Sequence, residues 1–487
     1  MTVQAILVGE MPGLVTNLLR VLRERRGTDM RFLCGHLLSE RGEASQTVLA
    51  QEIINAYRAM NAKERLGFFE MLSREFSPDR AAIVSAVAAY KHEPGTHTLN
   101  ALAAAVEAPR QELIRRINTA PGGTKTLVLL RGDLLEATSN ATKLEALDGD
   151  LKHLFRSWFN RGFLRMERIS WQTSALILEK LIRYESVHEI NGWPDLRRRL
   201  EADRRCFAFF HPALEDEPII FVEVALANGL TGDLEPLLDI NAPVLPPENA
   251  NTAIFYSINN CLQCLRNIPF GNFLIKQVVE ELATEFPKIT NYSTLSPLPQ
   301  FSRALVDTQN EQGFTRARLS RLLADYADDL SEAAGRRQGT QSNEVGARRA
   351  VPLRRWDDPV DALFHLLEDP LSHRHILAAP LRRLALAYLT KVSRDGKLYD
   401  PVATFHLSNG ARLERINAFG NLRPYGLKAS YGVTANYQYL PSELEENHER
   451  FVSDGQIRVS SGLFKENKIV AEAWKTLRIR AQRHQSR

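Results

Sequence analysis

Residues 252–296 read TAIFYSINNCLQCLRNIPFGNFLIKQVVEELATEFPKITNYSTLS. Thr252 to Ser257 is β-branched and aromatic, the composition that suits a pleated strand. After a loop, Phe273 to Phe286 places Leu274, Ile275, Val278, Val279 and Leu282 on one helical face, and Pro287 ends the helix. Ile289 to Leu295 is the next strand candidate. A strand, loop, helix, strand unit predicts an α/β layer, with ligands met in the loop ahead of the helix and at the end of the second strand.

Upstream the character differs. From about Gln46 to Leu181 the pattern is helix after helix: Val48, Leu49, Ile53, Ile54 and Tyr57 recur at helical spacing, and Ser77-Pro78-Asp79 offers an N-cap with proline at the first helical position. This half holds no cluster of His, Cys or carboxylates at ligand spacing, so its expected role is packing and assembly. Strands begin near Arg205, with Cys206 to Phe210 and Ile219 to Val224. The expected class is α+β: an all-helical bundle over 1–184, then an α/β domain over 185–487. Within the latter, Ala333 to Ala350 (AAGRRQGTQSNEVGARRA) has no apolar face and is expected to be a mobile surface insertion. Val402 to His406 and Ala411 to Ile416 read as strands flanking a turn at Ser408-Asn409-Gly410.

Composition narrows the function classes. The 487 residues, 44% hydrophobic, suffice for a large core, and 62 Lys plus Arg against 58 Asp plus Glu leave a formal charge of only +4. Interleaved charges of that balance argue against a dedicated nucleic-acid surface. No run of about twenty apolar residues predicts a membrane span. The first residues lack the pattern of a secretory signal, and the last three are not a peroxisomal address, so the expectation is cytoplasmic. Four cysteines (Cys34, Cys206, Cys261, Cys264) are too few and scattered for a disulfide scaffold. Cys261 and Cys264 have CxxC spacing without a second pair to complete a zinc site, and neither His373 with His375 nor His92 with Glu93 has a third ligand at plausible spacing. No metal and no cofactor are expected.

Three places carry candidate chemistry. Arg266-Asn267-Ile268-Pro269-Phe270-Gly271-Asn272 precedes a helix, whose unpaired N–H groups and dipole suit a phosphate; a plain helix cap reads the same way. It matches neither a Walker loop nor GxGxxG. Ser296, before Pro297 at a strand end, is either a ligand-contacting hydroxyl or a turn residue, and without GxSxG a nucleophile is not indicated. His406 is suited to proton exchange near neutral pH, or is simply a structural histidine.

These segments also form a family pattern. Phe270 to Lys276, Leu295-Ser296-Pro297-Leu298-Pro299, Pro401 to Ala411 and Ala435-Asn436-Tyr437-Gln438-Tyr439 resemble malonyl-CoA decarboxylases in the same order, as do Trp158 to Leu164 and Tyr184-Glu185-Ser186-Val187-His188. The resemblance implies a helical domain that assembles the protein as a homo-oligomer, a tetramer or dimer, and a catalytic domain of the acetyltransferase superfamily (GNAT) fold. It implies that Arg266 to Asn272 take coenzyme A phosphates, that Ser296 is the catalytic serine, that His406 is the proton donor and that Tyr439 neighbours the site. The chain departs from the family at Asn267 and Gln300, where glycine is expected.

The implied reaction converts malonyl-CoA to acetyl-CoA and carbon dioxide without a metal. Backbone N–H groups at the glycine loop would stabilise the enolate oxygen, Ser296 would orient the carboxylate and His406 would protonate the carbanion. The alternative is a coenzyme-A-dependent acyltransferase of the same fold. Neither nucleic acid nor membrane is an expected partner.

Overall fold

Apolar residues at helical spacing set several helices in the first half of the chain, and in some helices a side chain also closes the first turn. Glu43–Ala59 buries Leu49, Ile53, Ile54 and Tyr57 on one face. In Ala62–Glu75, Asn61 accepts from the backbone while Glu64 reaches back to the Asn61 N–H, so two orphan donors are satisfied reciprocally. The cap in Ser77-Pro78-Asp79 is Asp79, two residues later than expected: its carboxylate accepts from Ala81 N, and the Ser77 hydroxyl instead donates back to Ser73 O. An aspartate that reaches the first turn wins over a serine already bonded behind it.

The computed structural model describes residues 29–137, 144–268, 274–307, 309–338 and 356–484. Within those stretches the chain divides into two compact units. One comprises Met1–Glu167, Phe209–Ile220 and Asn260–Gly271; the other comprises Arg168–Ala208, Phe221–Asn259 and Asn272–Arg487.

The strands are β1 (Arg165–Ile169), β2 (Arg204–Phe210), β3 (Pro218–Ala227), β4 (Thr252–Asn260), β5 (Asn291–Thr294), β6 (Ser296–Pro297), β7 (Ser393–Arg394), β8 (Lys397–Leu398), β9 (Arg412–Asn417) and β10 (Thr434–Tyr439). Among the described residues, eight of them form one sheet in the order β1-β2-β3-β4-β5-β10-β6, with β9 on β10, while β7 and β8 pair separately. It is mixed: β4 and β5 are parallel, whereas β10 is antiparallel to β5, β6 and β9. The whole of β2 is buried, which is why Cys206 to Phe210 reads as a continuous apolar run rather than an alternation. The Leu274–Glu285 helix buries the five residues read from its periodicity. β1 lies inside the stretch expected to be helical throughout: five residues are too few to bury a helical face, and pairing with β2, distant in sequence, decides their state.

Two further expectations change. Ala333 to Gln338 continue the helix Ala327–Gln338, whose first turn carries Asp328 and Asp329 and which buries Ala334; the remainder of the expected insertion lies outside the described residues. Val402 to His406 is not a strand but part of the helix Pro401–Ser408. Asp400 is its N-cap, accepting from Ala403 N at 2.7 Å, and Pro401 opens its first turn, a start signal that outweighs the β-branched composition. At the other end Asn409 N donates to the helix carbonyls, and Gly410 turns the chain toward β9 at φ +81. A Cβ on Gly410 would meet Leu444 O at 2.0 Å, so only glycine fits.

Asp400 is fully buried, accepts from the Tyr388 hydroxyl at 2.8 Å, and is pushed up to about 6 by desolvation. Replacing Asp400 with alanine removes the cap and the phenol's acceptor together, which should cost about 1–3 kcal/mol. Thermal unfolding should therefore shift down by several degrees; an unchanged transition would show that the helix carrying His406 does not depend on this cap.

Candidate active site

The site begins with a break in a strand. After Thr294 the chain turns so that Leu295 N donates to Phe255 O on β4, and then β6 resumes. β10 runs along both pieces, with Gln438 opposite Ser293 and Ala435 opposite Ser296. At the break, side chains replace the ladder: Asn436 Nδ2 donates to Thr294 O at 2.7 Å and Tyr437 N donates to Thr294 Oγ1 at 3.1 Å. Asn436 is fully buried and also accepts from Asn417 Nδ2 and Arg415 Nε, so the junction is fastened to β9 as well.

Ser296 and His406 meet here. Ser296 Oγ lies 2.9 Å from His406 Nε2 and donates to Thr294 Oγ1 at 2.8 Å. His406 Nδ1 lies 2.7 Å from the Tyr439 hydroxyl. Tyr437 and Tyr439 alternate onto one face of β10; the first stacks on the imidazole, with centroids 4.7 Å apart and planes at 25°, while the second hydrogen-bonds its edge. A phenol donates more strongly than it accepts, so Tyr439 gives its proton to Nδ1 and the His406 proton sits on Nε2. The donors then run in one direction: Tyr439, His406, Ser296, Thr294.

Electrostatics keep this chain neutral. Burial alone pushes His406 down to about 3, and burial holds both tyrosines well above the usual phenol range. In a hydrolase triad the Nδ1 partner is a carboxylate that supports a charged imidazolium; here it is a phenol. The cluster suits proton transfer better than generation of a serine nucleophile.

Of the residues singled out from sequence, Ser296, His406 and Tyr439 come together. Arg266, Asn267 and Ile268 belong to the other compact unit, where Arg266 and Asn267 are exposed and Ile268 is buried. Pro269, Phe270, Gly271 and Asn272 lie outside the described residues. Asn267 stands at φ +64, the left-handed region that asparagine tolerates best after glycine, so its departure from the family preserves the turn. Gln300 sits at φ −122, open to any residue. Sequence reasoning did not single out Thr294, Asn436 and Tyr437 individually. Period-two alternation from Ser296 and Tyr439 points to Thr294 and Tyr437; Asn436 carries no local signal.

A mixed α/β sheet with a buried, hydrogen-bonded Ser–His–Tyr chain is the candidate site. Comparison with known proteins gives the family. The model described as the malonyl-CoA decarboxylase C-terminal domain matches residues 162–479, and that of the N-terminal domain matches 76–159. A relative from Anser anser anser, named malonyl-CoA decarboxylase, mitochondrial, is 31% identical over 425 residues, covering 84% of this chain and 81% of its own. The crystal structure of malonyl-CoA decarboxylase from Rhodopseudomonas palustris is 40% identical, with a TM-score of 0.75 over 90% of this chain and 98% of that one. That from Agrobacterium vitis has the same identity and TM-score, covering 90% of this chain and 100% of its own. The chain belongs to the malonyl-CoA decarboxylase family.

The shift on His406 predicts how stability depends on pH. Its folded value lies below the ordinary 6.5, so neutral burial is fully favourable above 6.5 and is penalised as pH falls from there toward 3. Between about pH 7 and pH 5 the thermal midpoint of His406→Gln should therefore fall less steeply than that of the unsubstituted protein. Equal slopes would mean that His406 does not resist protonation.

Proposed function

We propose that this protein decarboxylates malonyl-CoA to acetyl-CoA and carbon dioxide, with Ser296 and His406 as the catalytic pair and the thioester itself as the electron sink. The observation that carries the reading is the 2.9 Å contact between Ser296 Oγ and a buried, neutral His406.

Decarboxylation breaks the bond between the carboxylate carbon and the α-carbon, leaving the electron pair as an enolate on the thioester. An enolate oxygen needs donors already in place, and backbone N–H groups supply them at no cost of reorganisation. Because the thioester accepts the charge, the reaction calls for neither a metal nor a redox cofactor. With substrate bound, the Ser296 hydroxyl turns its proton from Thr294 Oγ1 to the carboxylate and so orients it out of the carbonyl plane, the geometry that lets the breaking bond overlap the carbonyl π system. A thioester enolate is a far stronger base than an imidazole nitrogen, so a neutral N–H suffices as the acid. Once carbon dioxide has left, the Ser296 hydroxyl gives its proton to the α-carbon and takes the Nε2 proton of His406 in its place, and solvent restores His406 on product release. Tyr439 keeps the proton on Nε2 by occupying Nδ1.

Coenzyme A phosphates are assigned to the turn at Arg266 and Asn267, where an exposed guanidinium adjoins a left-handed residue. The same reading carries an acetyltransferase-like catalytic fold and homo-oligomeric assembly, which light scattering after size exclusion measures. It also carries cytoplasmic residence, in keeping with four free cysteines. Among the described residues no helix is long and apolar enough to cross a membrane.

Purified protein incubated with malonyl-CoA alone should release carbon dioxide and acetyl-CoA in equal amounts, followed by mass spectrometry. Ser296→Ala and His406→Asn should each slow turnover at least about a hundredfold while leaving a measurable rate. Consumption of acetyl-CoA that depends on an added amine, with no carbon dioxide from malonyl-CoA, would overturn the reading in favour of acyl transfer.

A further inference from the structure

Arg131 is among the most deeply buried large side chains in the chain, 1% exposed, and it lies in the helix Gly123–Ala137 of the helical unit. Its Nε donates to Asp148 Oδ1 at 2.8 Å, and Lys152 holds the other carboxylate oxygen at 2.6 Å. Burial alone would raise the Asp148 carboxyl, but the bonds from Lys152 and Arg131 outweigh it and hold the group below its ordinary value. Arg131 Nη1 serves a different purpose. It donates to the backbone carbonyls of Cys264, at 2.5 Å, and of Arg266, at 3.1 Å, more than 130 residues further along the chain. Gly132 beside it packs close to Cys264, whose Cβ would lie 3.4 Å from a Cβ built at 132.

We propose that Arg131 is a positioning residue for the anion-binding turn at Arg266 and Asn267, an inference that rests on the reading of that turn as the coenzyme A phosphate site. Peptide planarity supplies the mechanism. Drawing the Arg266 carbonyl onto a buried guanidinium turns the Asn267 N–H to the opposite side. The Cys264 carbonyl is drawn the same way, while Leu265 and Ile268 anchor the turn through buried side chains. Arg266 and Asn267 are left exposed, and Asn267 takes its left-handed conformation. A turn held in this way meets a pyrophosphate without first being ordered, so its binding free energy is not spent on the loop. A lysine at 131 keeps the charge beside Asp148 but lacks the planar fork that serves the carboxylate and two carbonyls at once.

The experiment compares malonyl-CoA with malonyl-pantetheine, which carries the same thioester but no nucleotide and no pyrophosphate. Arg131→Lys should raise KM for malonyl-CoA about tenfold or more at nearly unchanged kcat, and leave KM for malonyl-pantetheine unchanged. Arg266→Ala should likewise erode the preference for malonyl-CoA. If Arg266→Ala erodes the preference and Arg131→Lys does not, or if Arg131→Lys affects both substrates equally, the positioning role is overturned while the phosphate reading stands. If neither variant changes the preference, the phosphate reading falls and this inference with it. Should Arg131→Lys fail to fold, Asp148→Asn releases the guanidinium without removing it and is held to the same criteria.

Discussion

A neutral imidazole buried among hydroxyls is the constraint on which the rest of the site depends. His406 has both ring nitrogens within hydrogen-bond distance of protein oxygens, Ser296 on one side and Tyr439 on the other, and its face is covered by Tyr437. Burial costs the charged form so much that the ring stays neutral through the physiological range. A protein that buries histidine in this way gives up a titrating base and obtains an oriented N–H. Carbanion chemistry on a thioester suits that, because the enolate is basic enough to take a proton from a neutral donor.

Everything around the imidazole serves that orientation. The interruption between β5 and β6 breaks the β10 ladder between Ser293 and Ser296, and Asn436 repairs the lost pairing there with its own amide. β10 supplies two tyrosines on one face because side chains alternate along a strand. The helix Pro401–Ser408 delivers His406 in its last turn, started by a buried aspartate and stopped by a glycine that no other residue can replace. Removal of any of these elements changes the direction in which the Nε2 proton points.

The sequence was legible where local physics decides the outcome. The helix after the Arg266 loop could be read from five apolar residues on one face, and β2, β3 and β4 from their β-branched and aromatic runs. The Ser296 and His406 motifs were legible by family resemblance, since a serine before proline and a lone histidine say little alone. The state of His406 was not legible. Val402 to His406 has strand composition, and the Asp400 cap, buried against Tyr388, together with Pro401 in the first turn makes it a helix. β1 was hidden for a different reason, since its state is decided by a partner strand distant in sequence. The carbonyl clamp of Arg131 joins residues more than 130 positions apart, and no periodicity reports such a contact. Asn267, where the resemblance led to an expectation of glycine, is accommodated by its positive φ.

The central claim is that Ser296 and His406 act as one hydrogen-bonded unit, and a double-mutant cycle on malonyl-CoA turnover tests it most directly. If they act in series, Ser296→Ala combined with His406→Asn should be no slower than the slower single variant. Losses that multiply would show two independent contributions and contradict the relay.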